Sequence, residues 1–96
     1  MIKTLIYYQS KKNENIDQII EIINMKIKAL EPSHVIKGVF IDGFEERKEL
    51  NELLNVHLVS IDLLIVNKAV KDEFDRKLII ELARTEGFKI KLFSEI

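Results

Sequence analysis

Three residue types at four places in this chain could do chemistry. Ser10 ends the run "LIYYQS", where a hydroxyl stands at the carboxyl end of an apolar stretch. Arg47 opens the segment "RKELNELL", and Lys68 and Lys71 follow the apolar run "DLLIV". A serine hydroxyl can act as a nucleophile, and cations can hold negative charge that builds in a transition state. Each residue also has an ordinary reading. Ser10 suits the end of a strand, and Arg47 suits a solvated partner three or four residues away in a glutamate-rich helix. Lys68 and Lys71 flank acidic residues in what reads as a wet loop, and Asp42-Gly43 is a turn signal in its own right.

The elements that must position these groups are legible. "IKTLIYY" reads as a strand buried on both faces. Ile16, Ile19, Ile20, Ile23, Ile27 and Leu30 recur at helical spacing, with Asn13 or Asn15 as the N-cap and Pro32-Ser33 as the stop. "VIKGVFID" is a second strand, residues 35 to 42. "EERKELNELL" is a short helix whose core face is Leu50, Leu53 and Leu54, and "IDLLIVN" is a third strand. "DEFDRKLIIELARTEG" is a third helix, with Asp72 as cap, Gly87 just past the end, and Phe74, Leu78, Ile79 and Leu82 facing the sheet. "FKIKLFSEI" closes the chain as an edge strand guarded by alternating lysines.

Strand and helix alternate βαβαβαβ. This predicts a three-layer αβα domain around a four-stranded parallel sheet. The order is 2-1-3-4, with the two most apolar strands central. In such sheets ligands sit beyond the carboxyl ends of the strands, so Ser10, Asp42 and Lys68 are expected near one rim.

Composition narrows the function. The 96 residues fit a single domain, 47% are apolar and 32% charged, and the formal net charge is −1. That balance is globular and argues against a free-standing nucleic-acid binder, which would carry a basic excess. The absence of cysteine excludes disulfides and thiolate chemistry and suits the cytoplasm. No apolar run reaches the roughly 20 residues of a membrane span. The glycine signatures of dinucleotide and P-loop sites are missing, as is the GxSxG elbow, so no cofactor is expected. The places after the first and third strands hold Ser10 and Asn67, which speaks against a phosphoacceptor domain. His34 and His57 lack ligand spacing and read as surface residues, so no metal is expected.

The order of these pieces resembles the catalytic domain of serine recombinases, the resolvase/invertase family. "IYYQS" places Ser10 at the nucleophile position. "VFID" supplies the strand ending in Asp42. "ERKELNELL" supplies Arg47, Leu50, Leu53 and Leu54 in the family's order. "IDLLIVNKAVKDEF" follows as the third strand and its exit, and "EGFKIKLFSE" matches the ending. The resemblance implies a resolvase-like fold over residues 1–96 and, in an active member, a serine that becomes joined to DNA.

The departures fall on the charges that such chemistry needs. The family's arginine before the serine falls on Tyr8, and its Asp-Arg-x-x-Arg segment falls on Val70, Lys71 and Phe74. The loop after Asp42 is short, and the chain ends where the family's linking helix would begin. Losing one transition-state donor costs a factor of about 100 to 1,000 in rate. Several lost together predict a domain without strand cleavage. It would act through protein contacts or in the regulation of recombination, with a mobile-element origin. Alternatives are a weak nucleic-acid-binding module using Arg47, Lys68 and Lys71, and a flavodoxin-like ligand or regulatory domain. A protein partner or second copy is expected on the third helix, where Leu78, Ile79, Ile80 and Leu82 make an apolar arc too wide for one sheet face, leaving Ile80 exposed.

Overall fold

The computed structural model describes residues 1–96, apart from the side chains of residues 56 and 57. The reading of His57 as a surface residue therefore lies outside the described side chains. Strand β1 (Ile2–Gln9) is followed by helix α1 (Ile16–Leu30), β2 (His34–Asp42) and the short helix α2 (Lys48–Glu52), which runs into a π-helical turn over Leu53–His57. Then come β3 (Leu63–Val66), α3 (Glu73–Glu86), β4 (Lys89–Leu92) and a closing 3₁₀ turn over Phe93–Glu95. The four strands form one sheet in the order β2-β1-β3-β4, and every pairing is parallel.

Alternation along the two central strands makes the three layers. Ile6 and Tyr8 of β1 and Leu63 and Ile65 of β3 point to one face, where α1 covers them with Ile19, Ile23 and Leu30. Leu5, Tyr7, Leu64 and Val66 point to the other, against Leu50 of α2, Leu53 just after it, Ile79 of α3 and Phe88. With both faces covered, β3 has all its residues buried, which is why it reads as an unbroken apolar run.

Local signals set the helix ends. Asn15 caps α1 in a reciprocal box with Gln18. The Asp72 carboxylate accepts the Asp75 N–H at 2.9 Å to start α3, and Gly87 ends it at φ 78°, a left-handed conformation that costs glycine little. Gly38 stands where β2 slips register against β1. A Cβ there would come within 3.2 Å of the Leu5 side chain and within 3.1 Å of the Phe40 ring.

Three sequence expectations change. Phe74, expected to face the sheet, is 74% exposed. The buried line of α3 runs through Asp75 and Ile79, and Phe74 sits about 100° around the helix from Asp75. In α1, Ile16 and Ile20 lie on an exposed flank, not on the core face. His34 heads β2, half-buried, with Nδ1 against the Leu30 carbonyl and the Ser33 hydroxyl. Ile80 is exposed as expected, at 57%. Among the described residues, no helix is long and apolar enough to cross a membrane.

Candidate functional site

The strand ends hold a polar network built around Asp42. Its side chain is buried and accepts three hydrogen bonds: from the Tyr7 hydroxyl at 2.7 Å, the Glu49 N–H at 2.7 Å and the Leu50 N–H at 3.0 Å. The two amides belong to the first turn of α2, whose own N-cap residue, Arg47, offers no side-chain cap. Asp42 thus caps α2 from the end of β2 and puts a carboxylate where the helix dipole favours one. Burial, reinforced by the bond to Asp42, pushes the Tyr7 phenol far above its ordinary range.

Ser10 lies at the edge of this network and is turned inward. It is 6% exposed, and both its N–H and its hydroxyl donate to the Asp42 carbonyl, at 2.9 and 2.8 Å. The hydroxyl proton is committed to a backbone acceptor, and no side-chain base takes it. Tyr8, where the resemblance to serine recombinases calls for an arginine, points to the α1 face. Its hydroxyl donates to Glu14 at 2.6 Å, and its ring meets Phe93 edge-on at 5.8 Å. Burial first, then the bond to Glu14, pushes the Tyr8 phenol up to about 12. Burial works to raise the Glu14 carboxyl, but the Lys11 N–H, the Tyr8 hydroxyl and the charges of Lys11 and Lys68 outweigh it and hold the group below its usual value.

The point where the strand order reverses, between β1 and β3, is closed by an amide pair. Asn67 accepts the Gln9 N–H through Oδ1 and returns Nδ2–H to the Gln9 carbonyl, both at 2.9 Å. In effect the side chain continues the β1–β3 ladder past the end of β3. Gln9 in turn donates Nε2–H to the carbonyls of Gly43 and Glu46. The crevice in which open α/β sheets bind ligands is here spanned by protein.

Beside it, between α2 and the start of α3, is a cleft of about 290 Å³. It gathers three of the four residues singled out by type and spacing, Arg47, Lys68 and Lys71, and leaves Ser10 outside its walls. Lys68 and Lys71 are three residues apart in the segment that leads into α3. Among the described residues neither lysine forms a hydrogen bond or an ion pair. Arg47 is engaged: Nε and Nη2 grip the two oxygens of Asp75 at 3.1 and 2.8 Å. The guanidinium side chain is 54% exposed and the Asp75 side chain 4%. The bond to Asp75, then its charge, raises the Arg47 pKa further. The expected helical neighbour is thus replaced by a carboxylate 28 residues away. Against the three cations the same walls carry four carboxylates, those of Glu45, Glu46, Asp72 and Asp75.

No protein-family model and no curated protein matches the sequence. Among solved structures, the chain is similar to the C-terminal catalytic domain of ISC1926 TnpA, an IS607-like serine recombinase. The match has a TM-score of 0.70 and 22% identity, and it covers 95% of this chain and 69% of that one. Fold, strand order and helix placement therefore agree over nearly the whole chain, and the protein has the fold of a serine-recombinase catalytic domain.

Proposed function

We propose that this is a recombinase-like domain that does not cleave DNA. It works in the cytoplasm through contacts with protein partners in DNA recombination or its regulation, and it derives from a mobile element. The observation that carries the reading is the separation of the parts. The Ser10 hydroxyl is buried on the Asp42 carbonyl, while Arg47, Lys68 and Lys71 line a cleft to which Ser10 does not contribute. A serine nucleophile needs a base to take its proton and cations within reach of the phosphoryl oxygens. Here Tyr8 is spent on Glu14 and Arg47 on Asp75. The exposed Ile80 on α3 supports a partner surface there.

A second reading, weak binding of a nucleic-acid phosphate, is favoured by one observation: Lys68 and Lys71 line the cleft, and neither forms a hydrogen bond or an ion pair among the described residues. The test of the main reading is incubation of the purified protein with supercoiled DNA, followed by denaturing electrophoresis. The expected result is no nicking and no protein–DNA adduct. A serine-linked DNA adduct that disappears in Ser10→Ala overturns the proposal.

A further inference from the structure

We infer that Asp75 is a latch that withholds Arg47 from an anion in the cleft; the inference rests on the phosphate-binding reading above. Arg47 is the only cation of the cleft with a fork matched to two oxygens at once, and its Nε/Nη2 edge is occupied by a carboxylate of the same protein. That carboxylate is fixed. It lies in the first turn of α3, buried, with its own N–H held by Asp72. Arg47 is the partner at the surface, on a half-exposed side chain. An arriving phosphate meets three cations set against four carboxylates. Neutralising Asp75 would balance the walls and free the fork in one step. A buried carboxylate does not give up its cation without replacement, so the latch opens only when another positive group, from a partner, takes the place of Arg47 on Asp75.

The test uses a short fluorescein-labelled DNA duplex and, separately, inorganic phosphate, to distinguish a nucleic-acid backbone from a free anion. Asp75→Asn keeps the shape and removes the charge. It is expected to tighten binding about tenfold, the range of a hydrogen bond to a charged group. Glu46→Gln removes one carboxylate of the same cleft that does not touch Arg47, and it is expected to gain threefold or less. Adding Arg47→Ala to Asp75→Asn is expected to erase the gain. Binding by Asp75→Asn equal to or weaker than wild type, while Lys68→Ala and Lys71→Ala weaken the wild type, overturns the latch and leaves the phosphate reading standing. No binding by any form overturns both. In the wild type, the Arg47 Nε–H resonance is expected to exchange slowly and to stay unshifted as DNA is added. A shift at that atom would show Arg47 on the ligand with Asp75 still in place. It would overturn the latch even if Asp75→Asn fails to fold.

Discussion

Asp42→Ala is the substitution that weighs the strand-end network. It removes the acceptor of three hydrogen bonds at once, those from Tyr7 Oη and from the amides of Glu49 and Leu50. A hydrogen bond to a charged group contributes about 1.5 to 3 kcal/mol, and the three are not additive because they share one carboxylate. The Tyr7 hydroxyl is buried and would be left without an acceptor, while the helix amides can partly turn to water. A loss of about 3 to 5 kcal/mol follows. For 96 residues the whole stability is about 5 to 14 kcal/mol, so the loss is a large share of it. At about 4 to 8 °C per kcal/mol, Tm should fall by at least about 12 °C. Tyr7→Phe removes one donor and leaves both amides paired, with an expected cost of about 1 to 2 kcal/mol. Urea denaturation followed by circular dichroism measures both. An Asp42→Ala loss below about 1 kcal/mol, or one equal to that of Tyr7→Phe, would show that Asp42 does not cap α2 and that the network is incidental.

Two further outcomes follow from the geometry. Tyr7 and Tyr8 have folded-state pKa values raised above the unfolded value, Tyr8 to about 12, so their share of stability is full below pH 10 and is lost as pH rises through the folded values. Phenolate absorbance should show little ionisation at pH 10, then alkaline unfolding whose onset moves in Tyr8→Phe; free-tyrosine titration in the intact fold would contradict this. Sedimentation should show wild-type self-association that Ile80→Glu abolishes if α3 is the contact for a second copy, and identical monomers would remove α3 as a self-interface.

The architecture was legible because it follows from periodicity. Apolar runs of strand length, helical repeats between them, and Asn15, Asp72 and Gly87 as punctuation lead to the sheet order and the element bounds to within a few residues. The site was legible only as a set of residue types. Arg47 reads as a partner for its own helix, yet its fork closes on Asp75, which by itself reads as one more acid in the first turn of a helix. Asp42 reads as a turn residue, yet it caps a helix that starts six positions later, at Lys48. Asn67 gave no signal for its bond to Gln9, because the role depends on β1 and β3 ending side by side. Phe74 was misplaced by helix phase: an apolar residue next to the cap was assigned inward, where the structure puts Asp75. Phe74 apart, each miss joins separate segments of the chain, where local pattern carries no information.

The same contacts bear on how a fold of this kind can pair its strand-end polar groups internally. A polar group at a strand end is costly to bury unless it is paired. An active phosphoryl-transfer site must leave such groups aimed at an absent ligand, and that strain lowers stability. In this chain the groups are paired with one another: Ser10 with the Asp42 carbonyl, Tyr8 with Glu14, Gln9 with Asn67, and Arg47 with Asp75. No buried side-chain nitrogen or oxygen among the described residues lacks a partner. Such pairing stabilises the strand ends at the expense of a preorganised anion site. It supports the reading of a domain kept for its surface, whose remaining charge, on Lys68 and Lys71, faces outward into a cleft.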